Sequence, residues 1–337
     1  MTSRERVRRT LNFEPVDRAP RDLWGPPGIR LFRSAERAEV LKKYPMDMTA
    51  PEFRYGDSLL ARGAAGEVGS YVDAWGCVWY ASEPGVVGEV KQPPLASWSD
   101  LASYKLPWEL LDRADLTSVD RGCAATDRFV KAGTEARPFE RMQFLRGTEN
   151  LLIDLGYGTP EVYRLRDILH EFFVREMQMW AETDVDCVSF MDDWGSQNAL
   201  LISPDLWRSF YKPLYRDYCD ILHGSGKYVF FHSDGFIEPV IPDLIEIGVD
   251  ALNSQLFCMN LEQIAASYRG RLTFWGEIDR QYILPFGTVQ EVQQAVKRVR
   301  QALDIGSGGV FAQCSWGMKN PRENIEAVFE QWLEPRP

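Results

Sequence analysis

His232 has the type and position expected of a residue that does chemistry. It ends a short apolar run, Tyr228–Phe231, and is followed at once by Ser233, Asp234 and Gly235. A buried strand that stops in His, Asp and Gly would deliver a metal ligand or an acid–base group to its exit loop. The chain has 3 histidines, so the placement of this one is informative. The alternative is a core histidine that is hydrogen-bonded to a neighbouring carbonyl.

Other strand-like segments also stop in polar residues. These residues are Arg21 and Asp22 near Trp24, then Glu52, Asp192 and Asp193, then Asn253, Ser254 and Gln255, then Glu277 and Asp279, and finally Gln313, Cys314 and Ser315. In parallel barrels the chemistry lies at the carboxyl ends of the strands. Buried carboxylates are costly unless they are paired or bound to a metal. Their convergence therefore predicts a functional site at this end of the fold.

Alternating strands and helices would position these residues. Helical segments begin at capping signals such as Thr288-Val-Gln-Glu291, and parallel strands need crossover helices of this kind. The predicted strands are Ala19–Trp24, Met46–Pro51, Phe129–Ala132, Cys187–Met191, Tyr228–Phe231, Asp250–Leu252, Leu272–Trp275 and Val310–Gln313. Eight such units predict an α/β chain that forms a single (β/α)8 TIM barrel over residues 1–337.

Residues 54–126 interrupt the alternation with Gly, Pro and aromatic residues. We interpret them as an insertion after the second strand, with a hairpin that pairs Gly76–Tyr80 with Val86–Val90 and a loop that could cover the barrel mouth. A doubly wound sheet is the competing architecture. It is disfavoured because no G-x-G-x-x-G sequence lies between a strand and a helix.

Composition narrows the class of protein. The 337 residues carry 38 Lys and Arg against 49 Asp and Glu, a net charge of −11, which disfavours nucleic acid as a partner. The 6 cysteines are scattered without a C-x-x-C pair, which predicts free thiols and a cytoplasmic location. The charged N-terminal segment has no apolar run behind it, and no run approaches the roughly 20 residues that span a bilayer. We therefore expect neither a secretory signal nor a membrane partner.

Two kinds of chemistry suit the polar residues. Zinc could be held by His232 and Cys314, with Asp234 or Glu277 as the third protein ligand and one position open for substrate. Bound zinc would hold a substrate thiol or alcohol as its anion. Taken alone, however, Cys314 is equally compatible with a small inert core residue.

The second chemistry needs no metal. Crowded carboxyl groups would have raised pKa values and donate protons, while an arginine binds an anionic substrate. The candidate donors are Asp192, Asp193, Glu277 and Asp279, and the candidate arginines are Arg21 and Arg141. A structural alternative for Asp192 and Asp193 is helix capping and hydrogen bonding at the end of the barrel.

Several motifs together resemble the uroporphyrinogen decarboxylase superfamily, over essentially the whole chain. They are Arg4–Pro20, Asp73–Trp79, Asp192–Gln197, His232–Gly235, Trp275–Gln281 and Leu284–Thr288. The resemblance implies the same barrel and, by analogy, a homodimer. The arginine-rich loop of true uroporphyrinogen decarboxylases is replaced here by Leu23–Arg30, and the aspartate after the second strand by Ala50–Phe53.

The chain is similar instead to the sister branch of cobamide-dependent methyltransferases, whose zinc is held by a His-x-Cys pair and a later Cys. His232 matches the histidine, Cys314 matches the later cysteine, and Asp234 stands in place of the first cysteine. The resemblance thus implies a metal site at these three residues. The expected catalytic residues are Asp192, Asp193 and Glu277, and the expected substrate contacts are Trp24, Glu52, Arg141, Gln197 and Gln255.

The function that follows is zinc-assisted methyl exchange between a small molecule and a corrinoid carried by a partner protein. The alternative is a metal-free decarboxylase of a uroporphyrinogen-like or other small carboxylic acid. A third possibility is a barrel that binds a tetrapyrrole or corrinoid without turnover.

Overall fold

Parallel strands form the centre of the computed structural model, which describes residues 1–336. The strands are β1 Arg21–Trp24, β2 Met48–Thr49, β3 Gly69–Val72, β4 Val78–Ala81, β5 Glu89–Gln92, β6 Phe129–Gly133, β7 Cys187–Met191, β8 Tyr228–Ser233, β9 Ala251–Ser254, β10 Thr273–Phe274 and β11 Ala312–Ser315. Eight of them lie at or beside the positions predicted from the sequence. The exceptions, β3 to β5, belong to residues 54–126.

The eight parallel strands form two ladders. One has the order β10-β9-β8-β7-β6-β2, and the other pairs β1 with β11. Contact between the ladders is limited to an isolated parallel bridge, Phe274 with Val310, and to single bonds such as Asp47 N to Arg21 O at 3.0 Å. The predicted parallel α/β fold is confirmed, but the ladder is not closed as a complete barrel. Strands β2 and β10 have two residues each, which offer too few backbone groups to pair fully on both sides.

Most of the helices cover the outside of the parallel strands. They are α1 Ser3–Leu11, α2 Pro27–Phe32, α3 Ser34–Lys43, α4 Glu109–Asp112, α5 Val119–Ala124, α6 Pro138–Arg146, α7 Thr148–Tyr157, α8 Pro160–Ala181, α9 Pro204–Phe210, α10 Lys212–Gly224, α11 Ile241–Glu246, α12 Leu261–Tyr268, α13 Ile283–Phe286, α14 Val289–Leu303 and α15 Arg322–Leu333. The predicted capping box starts α14, where Thr288 and Glu291 cap each other. Within residues 1–336, no helix is both long enough and apolar enough to cross a bilayer.

Each central strand has an inner and an outer face, because successive side chains point to opposite sides. Phe129, Phe230 and Phe311 belong to an inner cluster, which Val7 and Leu11 of α1 join. The outer faces pack in a larger cluster together with the helices. This alternation places His232, two residues after Phe230, on the inner face near the carboxyl end of β8.

Residues 54–126 contain a three-stranded antiparallel sheet in the order β3-β4-β5. Trp79 of β4 pairs with Val90 of β5, so the predicted hairpin exists, but its strands lie a few residues later than predicted. Strand β3 was not anticipated. Trp75, Cys77 and Trp79 are buried in the same core cluster as the outer faces of the central strands, which joins this sheet to the rest of the fold. That the segment is an insertion stays a prediction.

Candidate metal site and adjoining cavity

His232 is held in one orientation by Asn253 on the neighbouring strand. The side-chain amide of Asn253 donates to the Trp275 carbonyl, which leaves its Oδ1 facing His232 Nδ1 at 2.7 Å. Nδ1 therefore carries the hydrogen of the neutral ring and donates it to Asn253. The other nitrogen, Nε2, then presents a lone pair, which is the form of histidine that binds metals. Trp24 packs against the imidazole with ring centroids 5.1 Å apart.

Two carboxylates face Nε2 of His232. Asp193 Oδ1 lies 3.6 Å from it and Asp234 Oδ1 lies 3.4 Å from it. These three residues form a group of potential ligand atoms that all lie within 4.8 Å of one another. Asp234 Oδ1 is buried and accepts no hydrogen bond within the protein. Burial is the largest influence on Asp193 and raises the pKa of its carboxyl group. This arrangement has the donor atoms and the negative charge that a divalent cation needs.

Arg280 lies beside this group, although sequence reasoning did not single it out. Its guanidinium donates to Asp234 Oδ2 and lies 3.8 Å from Glu277 Oε2. Glu277, which is buried, accepts a hydrogen bond from Ser315 Oγ at 2.7 Å, and burial raises the pKa of its carboxyl group. Arg280 thus orients Asp234 and partly offsets the negative charge. Its position in the Trp275–Gln281 motif was the available signal.

Asp192 and Asp193 have different surroundings despite being adjacent. Asp192 is fully buried, and its oxygens accept from the backbone amides of Phe139 and Glu140 at 2.7 and 2.8 Å and from Tyr215 Oη at 2.6 Å. It therefore caps the N-terminus of α6. Its side chain does not reach the group of ligand atoms at His232, so the structure supports the helix-capping alternative for Asp192.

Glu140, on the helix capped by Asp192, is a second residue that sequence reasoning missed. Its Oε2 is buried and accepts no hydrogen bond, and the nearest cation, Arg137 Nη1, is 3.8 Å away. Burial and the charge of Asp193 raise the pKa of the Glu140 carboxyl group. Asp193, whose charge contributes to this rise, belongs to the group of potential ligands at His232, so Glu140 lies near the candidate metal site.

Cys314 lies apart from the group at His232. It is paired in register with Leu23 and is buried in the outer core cluster, one residue beyond Gln313 of β11. Because successive side chains alternate, Cys314 faces the helices and Gln313 faces inward. Burial raises the pKa of the Cys314 thiol above its usual range, which favours the protonated form. Among residues 1–336, the group of potential ligands contains neither Cys314 nor Glu277.

A cavity of about 330 Å³ opens beside His232 at the carboxyl end of the strands. We call it the mouth cavity. It is lined by Trp24, Phe53, Tyr55, Lys131, Gly133, Thr134, Glu135, Ser189, Phe190, Met191, His232 and Trp275. A substrate in this cavity would contact the imidazole directly. The predicted contact Trp24 is therefore placed beside the candidate site.

The other predicted substrate contacts are dispersed. Gln197 and Gln255 line a separate cavity of about 50 Å³ together with Glu277 and Arg280. Glu52 is exposed, and its neighbour Phe53, not Glu52 itself, lines the mouth cavity.

Arg141, the predicted anion-binding residue, is already engaged within the protein. It is buried, donates to Glu135 Oε2 at 2.9 Å, lies 3.6 Å from Asp73 Oδ2 and packs over the Trp75 ring. Of these residues only Glu135 lines the mouth cavity. Arg141 therefore holds a residue of the cavity wall and does not itself contact a molecule in the cavity.

The comparisons with known proteins show the family and the fold of the chain. The sequence matches the family described as uroporphyrinogen decarboxylase (URO-D) over residues 74–333. The chain belongs to the URO-D family. This family match confirms the resemblance that the sequence motifs indicated. A search of curated proteins finds no significant match for this URO-D family member.

One solved structure shows the same fold. A methyltransferase from Methanosarcina mazei has a TM-score of 0.72 and 17% sequence identity, and the alignment covers 98% of each chain. A glycosylated GH10 endo-β-1,4-xylanase from Gloeophyllum trabeum has a TM-score of 0.48 and 9% identity, with 96% of this chain and 99% of that chain covered. The first of these shows that the whole URO-D family chain described here adopts a fold known from experiment.

Proposed function

We propose that this chain is a metal-dependent methyltransferase that exchanges a methyl group between a small molecule in the mouth cavity and a corrinoid carried by a partner protein. The observation that carries the proposal is the orientation of His232, whose Nε2 faces Asp193 and Asp234 while Asn253 holds Nδ1. Membership of the URO-D family and the fold shared with a protein described as a methyltransferase support the choice of reaction.

The three side chains fit a divalent cation. Asp234 Oδ1 is buried and lacks a hydrogen-bond donor, which is costly unless a cation or another partner completes it. Three protein ligands with one open position are typical of catalytic zinc sites. Asp193, His232 and Asp234 would hold the ion, with Asp193 and Asp234 supplying the negative charge. When bound, zinc would supply positive charge that stabilises the anionic form of a substrate heteroatom.

The surrounding residues would hold the site in place and control protons. Asn253 fixes the ring of His232, and Arg280 fixes Asp234 through Oδ2, leaving Oδ1 directed at the site. Glu140 carries a buried carboxyl group with a raised pKa near Asp193, so it would take up or release a proton at the candidate metal site. Glu277 is more remote and is held by Ser315.

We also propose that the eight parallel strands behave as one (β/α)8 barrel, a view supported by the bridge between Phe274 and Val310. Residues 54–126 would then be an insertion that contributes Tyr55 to the lining of the mouth cavity, where its ring contacts that of Phe53. A homodimer and a cytoplasmic location stay predictions from the sequence.

Elemental analysis of the purified protein tests the metal site. We expect stoichiometric zinc that is lost in Asp234→Asn, because this change removes a charged ligand. The exposed Asp57→Asn is the matched control and should keep its metal.

Cys314→Ala decides whether the sequence-based prediction of a cysteine ligand is correct, and the outward position of Cys314 leads us to expect unchanged metal content. Since one imidazole and two carboxylates also suit manganese and iron, both are measured in the same samples.

Methyl transfer is then followed by the absorbance change of a reduced corrinoid mixed with small methylated donors. Metal-dependent transfer that Asp234→Asn abolishes would support the proposal. A protein without stoichiometric divalent metal would contradict it.

The metal-free decarboxylase is the second candidate, favoured by one observation. Arg280 already pairs with Asp234, so part of the negative charge is balanced without a cation. Release of carbon dioxide from a small carboxylic acid, unaffected by a chelator, would favour this candidate. Tight corrinoid or porphyrin binding without turnover would instead favour the binding protein.

A further inference from the structure

The mouth cavity contains one cation whose hydrogen-bonding capacity is largely unused. Lys131, on the inner face of β6, donates to Ser189 Oγ at 3.3 Å and lies 4.9 Å from the centroid of the Trp275 ring. Across residues 1–336, no carboxylate oxygen lies within 4.0 Å of its Nζ. An ammonium group has three donors, so two of them are available to a ligand. Ser189 itself donates to the Ala132 carbonyl and cannot supply the same hydrogen to an anion.

The acidic groups near the cavity are already engaged. Glu135 Oε2 accepts from Arg141 at 2.9 Å and from the Trp75 indole at 3.3 Å. Asp22 Oδ2, on β1, accepts from the indoles of Trp24 and Trp275 at 2.8 and 2.9 Å. Burial raises the pKa of the Asp22 carboxyl group, and the charge of Lys131 acts in the opposite direction, although the two side chains form no direct ion pair. A molecule entering the cavity therefore meets Lys131 as the lining cation that has hydrogen-bond donors available.

The walls favour a flat apolar body. Trp24 and Trp275 contact each other edge to face at 4.8 Å, and Phe53 and Tyr55 do the same at 5.1 Å. Both pairs line the cavity, and aromatic rings prefer such edge and offset contacts with a further ring. A volume of about 330 Å³ is at the lower end of the range for small-molecule sites.

We propose that the mouth cavity binds a small, flat, largely apolar molecule that carries a single anionic group, with the anion on Lys131 Nζ and the flat body against the two aromatic pairs. His232, which lines the same cavity, would lie beside the bound molecule. As a statement about the substrate of methyl exchange, this inference rests on the proposed function. As a statement about binding, it does not depend on a metal or a corrinoid.

Calorimetric titration of the purified chain tests the inference with matched probes. Benzoate and 2-naphthoate are the anions, and benzamide and 2-naphthamide are their neutral counterparts. We expect the anions to bind about tenfold or more tightly than the amides, because a hydrogen bond to a charged partner is stronger than a neutral one. Lys131→Met should remove this preference, Lys131→Arg should keep much of it, and the exposed Lys297→Met should leave it unchanged.

Equal affinity for acids and amides would overturn the inference. So would an unchanged preference in Lys131→Met, or the absence of binding by all four probes. The comparison of acid with amide uses the unmodified chain, so it stands even if a variant fails to fold. Selective binding of benzoate by a chain without metal or methyl transfer would uphold this inference while contradicting the proposed function.

Discussion

Asn253 determines which nitrogen of His232 faces the neighbouring carboxylates. Its Oδ1 lies 2.7 Å from Nδ1 of the imidazole, and its amide group is fixed in turn by the Trp275 carbonyl. The residues sit side by side on β8 and β9, where His232 and Asn253 are direct partners in the parallel register. The metal-binding form of the ring is therefore set by a strand-to-strand contact and not by the His232–Asp234 segment itself.

Replacing Asn253 should weaken metal binding without touching a ligand. In Asn253→Ala the ring loses the acceptor that fixes its proton and orientation, and we expect metal affinity to fall by about 10- to 100-fold. Competition with a chromogenic chelator measures this change. The neighbouring Ser254→Ala serves as the control, because Ser254 Oγ makes no hydrogen bond within the protein. An affinity equal to that of the unmodified chain would show that Asn253 does not orient a ligand.

Substitution of Asp192 should mainly lower stability, whereas substitution of Asp193 should mainly lower metal binding. Asp192→Ala leaves two backbone amides and the Tyr215 hydroxyl without an acceptor, so we expect a loss of about 3–5 kcal/mol in the free energy of unfolding. The folded fraction should still bind metal. Asp193→Asn should lower metal binding with a much smaller effect on stability.

Urea unfolding and metal analysis of the two variants decide between these outcomes. The assignment of Asp192 to helix capping would be wrong if Asp192→Ala kept its stability and lost its metal.

Glu176, on α8, should make stability fall as the pH rises. It is fully buried, Tyr55 and the Glu135 amide donate to its Oε1, and burial raises its pKa from 4.5 to about 8. Between these two values the unfolded chain has lost the proton while the folded chain keeps it. Over this range Glu176 therefore lowers the free energy of unfolding by about 1.4 kcal/mol per pH unit. Its stabilising contribution is fully present only below the pKa of 4.5 that it has in the unfolded chain.

The matched variant is Glu176→Gln, which keeps the shape and cannot ionise. Its stability relative to the unmodified chain should rise steadily from pH 5 to pH 8, as measured by urea unfolding at each pH. Glu171→Gln, an exposed position on the same helix, controls for general effects of removing a carboxylate. A constant difference between Glu176→Gln and the unmodified chain across this range would contradict the prediction.

Local sequence patterns predicted most of the strands. Cys187–Met191 has the predicted bounds, because a short apolar run flanked by polar residues has few alternative placements. The last strand was predicted as Val310–Gln313 but lies at Ala312–Ser315. Composition cannot predict a shift of two residues, because the bounds of this strand depend on its hydrogen bonds to β1, where Leu23 pairs with Cys314. The three-stranded sheet was only partly predicted, because β3 has a mixed sequence in which only Tyr71 is buried.

The sequence by itself determined that His232 would lie at the end of a buried strand beside other polar residues, since the alternation of apolar and polar residues is a local property of the chain. Only the tertiary structure decided its partners. Asp193 joins His232 and Asp234, whereas Asp192 caps a helix and Cys314 faces the outer core. These differences arise from strand register and helix placement, which bring together residues far apart in the chain, such as Asp193 and His232. No local pattern specifies them.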